Sequence, residues 1–252
     1  MSALTFTAAD FTEARYREVL RAALARFHFV SLDQAVADDC TRHGIALWRH
    51  DIDISPHRAL KLARIEAELG LASVWFVHLG SAFYNPMEPV VAAILREISR
   101  LGHEIGLHFD CAASRAGDGA GAEEELRVEA LALAAIVEAP VSSFSLHNPT
   151  VPGGASLDSL RHGGLINASA PALYNRFSYC SDSNGIWRFR SLHELIADPD
   201  TRRLYALTHP VWWTPEEMVP RDRVRRAIEG RASTVLAGYD ALLAENARPN
   251  VT

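Results

Sequence analysis

Long apolar runs are missing from this 252-residue chain. None approaches the roughly 18–20 residues that a bilayer-spanning helix requires, so no transmembrane segment is expected. The opening MSALTFTAADFTEARY has no basic start followed by an apolar core. No secretory signal is read there, and a cytoplasmic location is the expectation. Cysteine is scarce: Cys40, Cys111 and Cys180 are odd in number and lack C-x-x-C spacing, which argues against a disulfide framework or a zinc knuckle. Neither sign of charge dominates. A net charge of −6 and a pI near 6.0 give no reason to expect nucleic acid or an anionic membrane as a partner. Arginine outnumbers lysine heavily but is scattered, and the run Arg221 to Arg226 reads as the solvated face of a C-terminal helical segment, about 215–246.

What is present is ordinary globular composition, 48% apolar and 22% charged, in a chain long enough to bury a substantial core. Asp10 or Thr12 can cap an N-terminal helix through about Arg26, with Phe11, Tyr16, Leu20, Leu24 and Phe27 on one stripe. Short apolar runs then alternate with helical patterns. The runs are Ile45–Asp53, Ser73–Leu79, His103–Phe109, Val141–His147, Gly164–Ala168, Gly185–Phe189 and Leu204–Trp213. The helices are expected near Pro56–Leu69, Pro86–Arg100, Ala122–Glu138, Ser156–His162 and Ser191–Ala197, the last with a Ser191/Glu194 capping box. Ser114–Glu125 reads as a flexible surface loop leading into a helix. Parallel strands need crossover helices, so the alternation predicts a parallel sheet of about seven strands, which fits a closed or nearly closed barrel better than an open sheet, with residues 1–252 as a single domain and no internal repeat.

The polar residues fall at one end of these runs. Asp51 and Asp53 end the first, His108 the third and His147 the fourth; Asp182 precedes the sixth, and His209 sits late in the seventh. In βα barrels, catalytic groups gather at the carboxyl ends of the strands. Residues i and i+2 of a strand share a face, so Arg49, Asp51 and Asp53 point together. Two carboxylates that close repel unless a cation intervenes. A divalent metal on Asp53 and imidazoles resolves the repulsion, leaves Asp51 as a base, and makes protonated His209 a donor to the leaving group. His103 opens its run and belongs to the opposite end, where an ordinary satisfied polar role is expected. His28, His43, His78, His162 and His193 are given the same role, and His57 in SPHRA is left open between the mouth and a helix's first turn.

RHDID, GHEIGLHFD, SFSLHNP and LTHPVWW, in that order, resemble the polysaccharide deacetylase (NodB-homology) superfamily, nearest its divergent RHD-x-D branch linked to surface-polysaccharide biosynthesis. FTEARYREVLRAALARFHFVSLDQA is similar to that branch's opening helix and strand, and the likeness spans roughly residues 10–215. The resemblance implies a deformed (β/α) barrel and metal-dependent removal of an acetyl group from a sugar. Asp51 is then the base, Asp53 and His108 metal ligands, and His209 the general acid. Two departures stand out. Ile52 separates aspartates that are adjacent in the family's usual motif, and Ala112 occupies the place of the second motif's further histidine. His147 is the candidate replacement ligand and Asp110 the fallback. Asp182 with Trp187 resembles the motif that supports the site. Asp182, Arg49, Tyr179, Trp212 and Trp213 are expected to face the substrate, the aromatics by stacking on a sugar ring.

The expected activity is deacetylation of an N-acetylated sugar, either a small molecule or a lipid-linked precursor. Zinc is the expected metal, with iron, cobalt or nickel as alternatives. Two competitors keep the fold: a catalytically inactive sugar-binding or assembly protein, which Ala112 motivates, and a hydrolase of a non-sugar amide.

Overall fold

The computed structural model describes residues 7–37, 42–111, 119–148, 157–187 and 189–251. Cys40, Ala112 and the start of the expected 114–125 loop lie outside them. A 3-10 turn, Ala8–Phe11, leads to α1 (Glu13–Leu24), whose first turn is capped by Thr12 Oγ1 accepting from the Arg15 N–H. Then come the two-residue strand β1 (His28–Phe29) and α2 (Leu32–Ala37). Strand–helix units follow: β2 (Ile45–Ile52), α3 (Pro56–Glu68), β3 (Val74–Val77), α4 (Pro89–Arg100), β4 (Glu104–Phe109), α5 (Gly119–Val137) and β5 (Ser143–Leu146). The chain continues through β6 (Arg161–His162), β7 (Leu165–Asn167), α6 (Pro171–Tyr174), β8 (Ser178–Ser181), α7 (Leu192–Ala197), β9 (Arg203–Thr208) and α8 (Pro220–Glu245). Among the described residues, no helix is long and apolar enough to cross a membrane.

Neighbouring strands run in the order β6-β7-β5-β4-β3-β2-β9-β8, and only the β6/β7 pair is antiparallel. The seven strands from β7 to β8 are parallel, as the alternation predicted. With β6 they form a curled, deformed barrel whose end strands β6 and β8 are not paired with each other among the described residues. Period-2 alternation sorts its two faces. Ile45, Leu47, Val74, Phe76, Ile166 and Tyr205 fill the inside. Ala46, Trp48, Trp75, Leu107, Phe144 and Leu204 face outward, in one core with buried residues of α1, α3, α4, α5 and α7. Each large side chain removed from water this way contributes about 1.5–3 kcal/mol.

Three expected elements differ. Gly185–Phe189 forms no strand over its described part, and Ser178–Ser181 is the strand beside β9. Asn184 and Gly185 take φ of 61° and 71°, which turns the chain out of any strand there. The sequence SYCS shows no apolar run because β8 is an edge strand with only Cys180 buried. Ser156–His162 is not a helix over its described part: Arg161–His162 pairs back on β7 through the Gly163–Gly164 turn, both glycines at positive φ, as a two-residue hairpin demands. The run Leu204–Trp213 stops being strand at Thr208, and Pro210–Trp212 is a 3-10 turn. The Ser191/Glu194 capping box forms as expected.

A polar network sits outside the barrel, between β2, β4 and α3. Glu66 is fully buried and accepts from Ser73 Oγ at 2.5 Å and from the Tyr16 hydroxyl, while one carboxylate oxygen lies 2.8 Å from His50 Nε2. His103 belongs here, its Nε2 2.9 Å from the Ala63 carbonyl, at the end of β4 away from His108. Burial pushes the Glu66 carboxyl up, but the charge and hydrogen bond of His50 pull it below its ordinary value of 4.5. The stability this contributes is therefore fully present above pH 4.5 and is lost as pH falls through the lower folded value. Glu66→Ala should cost about 3–5 kcal/mol in urea unfolding at neutral pH, because it strands buried partners. The deficit should shrink in acid.

Candidate active site

Where the inward face of the barrel reaches the carboxyl ends of the strands, it changes from apolar to charged. Along β2, Ile45 and Leu47 lie in the inner cluster, whereas Arg49 and Asp51, next on the same face, form a buried ion pair of 3.1 Å. Arg49 also donates to the Ala168 carbonyl at 3.0 Å and to the Tyr205 hydroxyl at 3.2 Å. Burial works most strongly against its charge, but Asp51 together with Tyr174, Tyr205 and Tyr179 outweighs this and holds the guanidinium pKa above its ordinary value.

Strand register sets the rest. β2 and β3 pair up to Ile52 and Val77, β3 and β4 up to Val77 and Leu107, and β4 places His108 opposite Ser145 of β5. Asp53, His78 and His108 are therefore level at the mouth, with His147 just beyond β5. Asp53, His108 and His147 each bring one ligand atom within 4.8 Å of the others, a group able to hold a metal ion. His108 Nε2 lies 3.2 Å from Asp53 Oδ1 and 3.1 Å from His147 Nδ1. Asp53 Oδ1 is buried with no hydrogen-bond partner among the described residues. An orphaned carboxylate oxygen facing two imidazole nitrogens suits a cation, and the donor set of one carboxylate and two imidazoles suits a catalytic divalent metal. His108 Nδ1 lies 2.7 Å from Ser145 Oγ, which in turn donates to Asp51 Oδ1 at 3.4 Å. That support fixes the ring with Nε2 toward the site.

Electrostatics separate the imidazoles. Burial, then the neighbouring His108, lowers the pKa of His147. Burial, with His108 and His147, lowers His78 to about 4. Both are neutral at pH 7, as ligation requires. Burial would also lower His209, but the hydrogen bond and charge of Asp182, aided by Asp53 and Asp51, lift it to about 9. His209 Nδ1 lies 2.6 Å from Asp182 Oδ1, and its Nε2 points toward Asp53 Oδ2 at 3.8 Å. Neutral imidazoles thus stand on one side of the mouth and a cationic one on the other.

Of the five residues expected to face substrate, four are buried. Asp182 is fully buried and accepts from the His209 N–H at 2.9 Å and from Trp213 Nε1 at 2.8 Å, so it and Trp213 position His209. Trp212 is buried, and Arg49 is spent on Asp51 and the barrel interior. Tyr179 is the one of the five that reaches the surface, 37% exposed beside Tyr174. Asp110 lies near the mouth, 3.9 Å from His78 Nε2, but outside the three-residue group. Sequence reasoning set His78 aside, although it ends an apolar run as His108 does. Its ring packs against His147 with centroids 4.6 Å apart. Ser145 carries no sequence signal, because only the β4/β5 register brings it to His108.

No protein-family model and no curated protein matches the chain. Among solved structures, the chain is similar to a family 4 acetyl xylan esterase from Clostridium thermocellum in complex with a cobalt ion, at 15% identity over 73% of this chain and 84% of that one, TM-score 0.38. It is similar to a peptidoglycan deacetylase from Bacillus subtilis at 10% identity over 82% and 99%, TM-score 0.44. It is similar also to the chitin deacetylase from Colletotrichum lindemuthianum at 12% identity over 76% and 84%, TM-score 0.41.

Proposed function

We propose that the chain is a metal-dependent hydrolase that removes the acetyl group from an N-acetylated sugar, a small or lipid-linked precursor in surface-polysaccharide biosynthesis. The observation that carries this reading is the convergence of Asp53, His108 and His147 at a mouth that also holds Asp51 and the Asp182-bound His209. A divalent metal, zinc first by donor set, would be held by Asp53, His108 and His147 and would supply Lewis acidity toward the acetyl carbonyl and a water. Asp51, oriented by Arg49 and Ser145, would take the proton from the attacking water. His209, cationic below about pH 9, gives its Nε2 proton to the departing nitrogen. Acetate and a free amine result.

Metal content by mass spectrometry, on protein purified without chelator or nickel resin, tests the proposal together with acetate release from N-acetylated sugars. Near-stoichiometric divalent metal and turnover are expected. No metal, even after reconstitution with zinc or cobalt, would overturn it. Within the site, His147→Ala removes a ligand and should weaken zinc binding by more than about 100-fold in chelator competition. His78→Gln removes only the ring packed against His147, so a loss of about tenfold is expected, the scale of an orienting neighbour.

A further inference from the structure

Beside the metal-site loop lies a cavity that hydrolysis does not account for. It has a volume of about 250 Å3, between the first turn of α3, the segment around Phe83 and the first half of α8. Its wall carries Arg58, Arg223, Arg226, Arg231 and His57, and no acidic side chain among the described residues. Three of the arginines are paired from outside: Arg58 with Glu13, Arg226 with Glu216 and Arg231 with Glu88. Arg223 is different. It is 1% exposed, donates from Nη2 to the Ala8 carbonyl at 3.1 Å and lies over the Phe11 ring at 5.3 Å. Its Nε and Nη1 have no hydrogen-bond partner among the described residues. A buried guanidinium with unmet donors is costly unless an anion completes it. The first turn of α3, a 13-residue helix, faces the same cavity. Pro56 has no N–H and Ser55 Oγ takes that of Arg58, so the N–H of His57 is a donor the cap does not use. The positive end of the helix favours an anion there.

The cavity runs into an open groove of about 690 Å3, sharing Ile54, Phe83, Ala227 and Arg231 with it. One wall of the groove is a stripe of α8, Ile228, Ala232, Val235 and Tyr239, at alternating spacings of four, three and four. Ile228, Val235, Leu236 and Tyr239 are 48–62% exposed, an apolar surface of the kind that marks a binding site. Both spaces adjoin the catalytic mouth. Ile54 follows Asp53, whose carbonyl accepts from Ser81 Oγ at 2.8 Å, and Ser81 Oγ accepts from the Phe83 N–H at 3.1 Å.

We propose that the cavity and groove together bind a lipid phosphate, the phosphate between Arg223 and the first turn of α3, the hydrocarbon chain along α8. The juxtaposition of an unpaired buried cation with an apolar channel matches an anion that carries a chain. Placement of the attached acetyl sugar toward Asp53 rests on the deacetylase reading; the binding itself does not.

Calorimetry on the full chain tests this with farnesyl phosphate, inorganic phosphate, farnesol and UDP-N-acetylglucosamine, none of which requires turnover to be read. Farnesyl phosphate should bind more than about tenfold tighter than either inorganic phosphate or farnesol, since it alone satisfies both spaces. Arg223→Gln should weaken it by about tenfold or more, the scale of a charge-assisted hydrogen bond. Thr234→Glu, at an exposed position of the cavity wall, places an opposing charge there without disturbing the core and should do the same while metal content stays unchanged. Equal affinity for farnesyl and inorganic phosphate, preference for the nucleotide sugar, or farnesyl phosphate binding that Thr234→Glu leaves intact would each overturn the proposal. So would a dimer in solution that covers α8 and binds no lipid phosphate. Binding without deacetylation would strike the deacetylase reading alone.

Discussion

Asp53→Ala is expected to purify without metal and without measurable deacetylation, yet folded. Asp53 supplies the only carboxylate of the three-residue group, and its buried Oδ1 has no hydrogen-bond partner among the described residues. Removing it leaves two imidazoles, a set with no negative charge to offset that of a divalent ion. Outer partners of a metal site are worth about 10–100-fold in affinity, so the loss of a direct ligand should exceed that range. The fold should survive, because Asp53 lies just past β2 and is partly exposed. Metal content by mass spectrometry with a circular dichroism melt reads both halves. Retention of stoichiometric metal would move the site away from Asp53 and return Asp110 to consideration. A collapsed melting transition would show that the carboxylate serves folding.

The second large effect concerns His209. His209→Gln should lower turnover by about 10²–10⁴-fold, the usual contribution of a positioned acid, while metal content remains at the wild-type level. The pH profile carries the sharper test. The pKa of His209 is raised to about 9, so its acid form is present below that pH and disappears as pH rises through it. Wild-type kcat/KM should therefore hold through neutral pH and fall on a basic limb near 9. Asp182→Asn keeps the shape of the side chain but removes the charge that most supports the cation. Its basic limb should move down toward the ordinary histidine value of 6.5, so the variant loses most of its activity by pH 8. A limb that does not move would assign the leaving-group proton to another residue.

Parts of the site differ in how far they are legible in the chain. Asp51, Asp53, His108, His147 and His209 each stand at the end of, or late in, an apolar run, and that position is a local property. His78 has the same signature, but nothing in its own neighbourhood distinguishes it from a satisfied polar residue. Its significance lies in being level with Asp53 and His108 on two flanking strands. Asp182 was legible as a polar residue near the mouth, while its task depends on His209 and Trp213, brought in from β9 and the turn beyond it. β8 was misplaced because an edge strand with a single buried residue has no apolar run to show, and the β6/β7 hairpin was passed over although Gly163–Gly164 is a turn signal.

By itself the sequence determined the strand–helix alternation, the parallel sheet that alternation requires, and a supply of carboxylates and imidazoles at the carboxyl ends of its strands. Period-2 and period-3.6 patterns are written within a few residues of one another, so they survive without knowledge of the fold. Which imidazole meets Asp53, which carboxylate lifts His209, and that Arg223 is left buried beside an apolar groove were decided only in the tertiary structure. Each depends on register between strands, or packing between helices, far apart along the chain, where a shift of one residue turns every side chain of a strand to its other face.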